Sequence, residues 1–206
     1  MADTRIALID YGAGNLTSVR KALDALGAEV FVPAAPADLE RAAGTIVPGV
    51  GHFAATGTLD ERWRAAILRG LESGRPLFGI CLGMQWLFEG SSEAPGLPGL
   101  ALLPGRCSRL SGDGGRLKVP HVGWNALELV RKGVLLDEAD RGAFVYFTHS
   151  FAAPVTDATV AAAEHGERFA AVVEQGLVGG VQFHPEKSGD VGLRILGRFV
   201  ARCGEE

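Results

Sequence analysis

Two short segments hold residue types able to carry nucleophilic chemistry. The first, Phe78-Gly79-Ile80-Cys81-Leu82-Gly83-Met84-Gln85, continues an apolar run that starts at Pro76. A buried strand ending in glycine, then cysteine, then a second glycine before a helix-forming stretch is the strand–turn–helix context of a nucleophile elbow, with Cys81 in serine's usual place. Gly79 and Gly83 suit a turn so tight that side chains would collide with neighbouring strands. A helix opening at Leu82 points free N–H groups at the sulfur and favours the thiolate, which is the attacking species. The second segment is Gln182-Phe183-His184-Pro185-Glu186-Lys187-Ser188, at the end of an apolar run. Proline fixes the backbone between His184 and Glu186, so the carboxylate can orient an imidazole that faces a nucleophile. Alone, each segment also reads as structure, a buried cysteine or a core histidine. Together they supply thiol, base and orienting acid, the general arrangement for acyl transfer.

Bringing these groups together is the task of the elements around them. Residues 6–9 form a continuous apolar run, as in a parallel strand buried on both faces. After the loop Asp10-Tyr11-Gly12-Ala13-Gly14-Asn15, the residues Leu16, Val19, Leu23 and Leu26 recur at helical spacing until Gly27. The loop lacks the third glycine of a dinucleotide fingerprint, and no ribose-binding acid follows the second strand, which argues against nicotinamide binding. A third strand at 45–47 breaks at Pro48-Gly49-Val50-Gly51, and a helix bearing Leu59, Trp63, Ile67 and Leu71 leads to the elbow strand. This alternation predicts an α/β fold: a doubly wound, mostly parallel sheet with helices on both faces and ligands beyond the carboxyl ends of the strands. At that edge the Val50 and Gly51 backbone can turn N–H groups toward an oxyanion, though the same residues also make an ordinary tight turn. Residues 90–105 read as loop. Short strands are expected at 106–110, 126–130, 143–147, 159–163, 169–173 and 178–183, added as antiparallel ribbons, and a closing helix at 191–203.

The composition of the 206 residues, 47% hydrophobic, suffices for one core, and a single domain over 1–206 is expected. A net charge of −4 with scattered basic residues argues against nucleic acid. The basic group Arg106, Arg109, Arg116 and Lys118 around Gly112-Asp113-Gly114-Gly115 reads as a solvated hairpin first and an anion site second. Three separated cysteines fit a reducing compartment, and neither they nor the five histidines show metal-ligand spacing. With no cleavable leader pattern and no apolar stretch of bilayer length, the expectation is a soluble cytoplasmic protein with no membrane contact.

The elbow together with His184-Pro185-Glu186 resembles the class I (triad) glutamine amidotransferase family. Within it, the blocks at 10–15, 48–51, 182–188, Pro120-His121-Val122-Gly123-Trp124-Asn125 and Tyr146-Phe147-Thr148-His149-Ser150-Phe151 resemble glutaminase subunits of imidazole glycerol phosphate synthase, from residue 6 to about residue 200. The resemblance implies that Cys81, His184 and Glu186 hydrolyse L-glutamine to glutamate and ammonia without metal or cofactor. It implies an oxyanion site at the backbone of Leu82, Val50 and Gly51, and glutamine held by Gln85 and the backbone of Gly51, His149, Ser150 and Phe151. Phe151 stands where tyrosine is also familiar, which leaves a backbone role intact. It further implies a heterodimer with a (β/α)₈-barrel cyclase that takes the ammonia in histidine biosynthesis, with Asn15, Trp124, Tyr146 and Lys187 at the interface. Trp124 reads equally well as core. Because uncontrolled hydrolysis wastes substrate, the chain alone is expected to be a poor glutaminase whose Val50 must reorient. Two alternatives stay open: a glutaminase for an anthranilate or aminodeoxychorismate synthase, where histidine usually replaces Met84, and a nonenzymatic regulatory subunit of the same fold.

Overall fold

Four apolar runs of the N-terminal half lie side by side as parallel strands in the computed structural model, which describes residues 5–204. They are β1 (Arg5–Leu8), β2 (Glu29–Phe31), β3 (Gly44–Val47) and β4 (Leu77–Ile80), in the order β2-β1-β3-β4. Helix α1 (Leu16–Ala25) connects β1 to β2, and α2 (Glu61–Glu72) lies between β3 and β4. Asp60 starts α2 by accepting the N–H groups of Arg62 and Trp63 with one carboxylate oxygen. The turn after β4 opens α3 (Leu82–Trp86).

Strand alternation sends neighbouring side chains to opposite faces, which is why the sheet has two cores. Ile6, Leu8, Ile46 and Phe78 pack against Val19 and Leu23 of α1 and against Ile195, Leu196 and Phe199 of the closing helix Gly189–Cys203. Ala7, Ile9, Val47 and Leu77 pack on the other face against Ala66 and Ile67 of α2 and Met84 and Trp86 of α3. The expected helices on both faces are therefore present. Among the described residues no helix is long and apolar enough to cross a membrane.

The C-terminal half departs from the expected ribbons in one consequential way. Strand β12 (Val178–Val181) pairs antiparallel with β11 (Arg168–Gln175) but parallel with β4, with Val181 opposite Ile80. An antiparallel partner for β4 would have delivered His184 to the far edge; the parallel one delivers it to the edge of Cys81. Beyond β11 the sheet continues antiparallel through β10 (Thr159–Glu164) to β7 (Glu128–Leu129), giving eight strands.

Two small antiparallel pairs stand apart from the large sheet. One joins β5 (Ser108–Arg109) to β9 (Phe151–Ala152). The other joins β6 (His121–Ala126) to β8 (Phe144–His149), with His121 opposite His149. Strand β6 had no sequence expectation, and the run expected at 126–130 shrinks to β7. The reason is that β6 alternates in the reverse sense, with apolar Val122 and Trp124 turned to solvent and polar His121 buried, so its own pattern names no core face and its extension is fixed by hydrogen bonding to β8. The hairpin expected around Gly112 is also replaced. Four successive positive φ angles, 60° at Gly112, 52° at Asp113, 66° at Gly114 and 94° at Gly115, make a left-handed turn that a glycine-rich run with one aspartate tolerates.

Candidate active site

Cys81 sits at the tip of the turn between β4 and α3 with φ 51° and ψ −105°. Its N–H donates to the Val181 carbonyl at 2.8 Å, tying the ends of β4 and β12 together. A side chain at 79 would press within 2.6 Å of the Met84 backbone, and one at 83 would drive into the Val47 carbonyl, so both glycines are required by close approach. The following helix is only five residues long, so what it offers the sulfur is individual N–H groups rather than an extended dipole. Positive φ at a non-glycine residue stores strain of about 1–3 kcal/mol. Cys81→Gly is therefore expected to unfold at higher denaturant than Cys81→Ala, by about 1 kcal/mol or more, despite glycine's larger chain entropy. Equal midpoints, or a more stable alanine variant, would show that the elbow is unstrained.

His184 is reached from β12 through Gln182 and Phe183, and its own N–H donates to the Tyr146 carbonyl at 2.9 Å. Ser188 locks the turn: its hydroxyl donates to the His184 carbonyl at 2.7 Å and accepts from the Tyr146 N–H at 3.0 Å. Glu186 Oε1 lies 2.9 Å from His184 Nδ1, with the two side chains 2% and 1% exposed. That places the hydrogen on Nδ1 and leaves Nε2 for other work. Nε2 has no hydrogen-bond partner of ordinary geometry. Cys81 nonetheless faces it closely enough to act on its protonation. Burial alone would lower the imidazole's pKa, but Cys81 and Glu186 outweigh it and raise it to about 9.

A cavity of about 290 Å³ opens over the sulfur. Gly51, Cys81, Leu82, Gln85, His149, Ser150 and Phe151, all named from the sequence, line it. Gln85 is held in place by donating from Nε2 to the Phe151 carbonyl at 2.8 Å and to Gln182 Oε1 at 3.1 Å. Gln182 in turn donates to Cys81 Sγ at 3.6 Å. The sequence reading passed over Glu93, which also lines the cavity and accepts the Phe53 N–H on Oε2 at 2.7 Å. It falls in a stretch read only as loop, where a single acid carries no periodic or motif signal.

Two of the three N–H groups expected to bind an oxyanion are engaged elsewhere. The Leu82 N–H donates to the Gly49 carbonyl at 3.3 Å, and the Val50 N–H donates away from the cavity to the Ala13 carbonyl at 3.1 Å. Of the proposed interface residues, Tyr146 is central: Trp124 meets its ring edge-on with centroids 6.1 Å apart, and Lys187 Nζ lies 5.8 Å from its centroid. Trp124 is 56% exposed, which removes the core reading. Asn15 precedes α1 and donates from Nδ2 to the Ser18 hydroxyl at 2.9 Å.

Sequence and shape comparisons bear on the family and the fold. The family model for glutamine amidotransferase class-I matches residues 7–203. An imidazole glycerol phosphate synthase subunit HisH from Xylella fastidiosa (strain 9a5c) is 48% identical over 198 residues, 96% of this chain and 97% of that one. Subunits of the same description from Bacillus velezensis, at 45% identity over 98% of both chains, and from Methanothermobacter thermautotrophicus, at 43% over 95% of this chain and 97% of the other, are also similar. A crystal structure of a glutamine amidotransferase superposes with a TM-score of 0.75 at 22% identity, covering 97% of this chain and 99% of its own. A chain of PurLQS from Thermotoga maritima gives 0.74 at 21% identity, covering 97% and 98%. At such identities the two structures speak for the fold alone.

Proposed function

The chain belongs to the class I glutamine amidotransferase family, and from that premise we propose that it is the glutaminase subunit of an imidazole glycerol phosphate synthase, working in the cytoplasm on free L-glutamine. The observation that carries the reading is that two adjacent parallel strands bring Cys81, which lines an amino-acid-sized cavity, and the buried His184–Glu186 pair to the same edge of the sheet.

Glutamine enters with its carboxamide over the sulfur. Cys81 Sγ attacks the carboxamide carbon, forming a C–S bond as the carbonyl electron pair moves onto oxygen. The oxyanion takes hydrogen bonds from the N–H groups of Leu82 and of the Val50–Gly51 segment once that segment has turned, each donor being worth about 3 kcal/mol in comparable sites. His184 takes the proton that the thiol loses as it attacks and, with a pKa raised to about 9, holds it until giving it to the amide nitrogen. The C–N bond breaks and ammonia leaves, with a γ-glutamyl thioester remaining on Cys81. Water then attacks the thioester, losing a proton to His184, and glutamate departs with the thiol regenerated. Glu186 holds the imidazole in one tautomer throughout. Glu93 supplies the cavity with a carboxylate suited to the substrate's α-ammonium group, and Gln85 and the backbone of residues 149–151 frame the rest.

Ammonia released near neutral pH would be protonated and lose its nucleophilicity, so its consumer must bind alongside. We assign that role to a (β/α)₈-barrel cyclase docking on the face that carries Asn15, Trp124, Tyr146 and Lys187. The test supplies the complex with glutamine labelled with 15N in the side-chain amide, together with the cyclase's phosphorylated nucleotide. Label is expected in the imidazole product even in the presence of excess unlabelled ammonium. Label found only as free ammonium, or incorporation only with an anthranilate-type synthase, would overturn the assignment.

A further inference from the structure

On the buried face of the β6–β8 pair, His121 and His149 stand directly opposite each other with His121 Nδ1 3.0 Å from His149 Nε2. His149 Nδ1 lies 3.0 Å from the Phe151 carbonyl. A carbonyl only accepts, so Nδ1 of His149 carries the hydrogen and its Nε2 must accept. His121 then donates from Nδ1, and its Nε2 accepts from Asn125 Nδ2 at 3.3 Å. The Asn125 amide cannot turn over, because Nδ2 also donates to the Glu164 carbonyl at 2.8 Å while Oδ1 accepts the Ala126 N–H at 2.8 Å. One assignment of neutral rings satisfies every contact. Burial, which lowers both imidazoles' pKa values, to about 4 for His121 and about 3 for His149, keeps them neutral.

The series continues to the nucleophile. The Phe151 carbonyl that receives His149 also receives Gln85, which reaches Gln182 and through it Cys81 Sγ. At its other end, Asn125 adjoins Trp124, whose ring is on the proposed partner face. Only the inner members touch the cavity; His121 and Asn125 act at one remove. We infer that His121 and Asn125 are positioning residues of the glutamine site, fixing the His149 tautomer and through it the Phe151 carbonyl and Gln85 that frame the substrate. This rests on the glutaminase reading above. A polar group whose partners are fixed by further hydrogen bonds binds without losing freedom, so loosening the outer links weakens substrate binding before it touches the chemistry.

The competing explanation is packing, since the His121 ring stacks between Phe147 and His165 with centroids 4.8 and 4.2 Å away. Three variants of the complex with its cyclase partner separate the two. His121→Asn keeps a donor near the position of Nδ1, His121→Gln places its amide near that of Nε2, and His121→Phe keeps a stacking ring with no donor. The KM for glutamine is expected to rise roughly tenfold in the Gln and Phe variants, with kcat within about threefold, and to stay within about twofold of wild type in the Asn variant. Asn and Gln forfeit the same ring, so a split between them reports the hydrogen bond and not the packing. Equal KM values in all three, or a rise in Asn and Gln with none in Phe, would overturn the proposal. A wild-type complex that does not hydrolyse glutamine would overturn the functional reading and this proposal with it, so the two failures are told apart by the unsubstituted enzyme.

Discussion

Replacing Cys81 by alanine is expected to lower glutamine hydrolysis by a factor on the order of 10⁴ to 10⁶ while leaving the fold in place. The size follows from the role proposed for the sulfur: without it no thioester forms, and what remains is a cavity that binds substrate beside an idle base. Alanine accepts the same backbone as cysteine and fills the same buried corner minus one atom, so circular dichroism and the unfolding midpoint should change little. Because thiol and imidazole act as one unit, Cys81→Ala combined with His184→Ala should lose no more than either alone. Glu186→Gln should cost less, since it removes the orienting charge and leaves both reacting groups. Ammonia release by the purified variants checks all of this. Residual turnover above about one per cent in Cys81→Ala would take the cysteine out of the mechanism, because a nucleophile's loss cannot be that mild.

The sequence made the site more legible than the path of the chain toward it. Cys81 and His184 were readable because each ends an apolar run and is bracketed by residues with little other use: Gly79 and Gly83, which avoid backbone collisions, and Pro185, which fixes the approach of Glu186. The N-terminal strands were readable for a related reason, since a parallel strand buried on both faces is apolar without interruption. Strand direction in the second half was not. Val178–Val181 reads the same whether its neighbour runs with it or against it, and only the pairing of Val181 with Ile80 decides that Cys81 and His184 reach one edge. Strand β6 is not legible because its alternate apolar residues, Val122 and Trp124, face solvent while the buried position is a histidine, the reverse of a core strand's pattern. Glu93 escaped because a lone carboxylate in a loop becomes meaningful only when a cavity is seen around it.

The isolated chain is expected to hydrolyse glutamine at least 10²- to 10³-fold more slowly than the complex with its barrel partner and the partner's nucleotide. In the present backbone the Gly49 carbonyl occupies the Leu82 N–H, and the Val50 N–H is spent on Ala13. Two donors of the proposed oxyanion site, the Leu82 and Val50 N–H groups, are thus withheld at once, and each such donor ordinarily contributes 10² to 10³ in rate. A single rotation of the peptide between Gly49 and Val50 exchanges both bonds together, lifting the carbonyl off Leu82 and swinging the Val50 N–H toward the cavity. Glycines flank the moving residue: Gly51 already sits at φ 94°, and a side chain at 49 would collide with the Tyr11 hydroxyl. Breaking two hydrogen bonds opposes the turn by a few kcal/mol at most, an amount that docking a partner beside the segment can supply. Alkylation of Cys81 by a small haloacetamide builds no oxyanion, so its rate should be nearly the same with and without the partner. Stimulated hydrolysis with unstimulated alkylation would place the control at the oxyanion backbone. An isolated chain that already turns over at the rate of the complex would mean that the carbonyl of Gly49 is no obstacle.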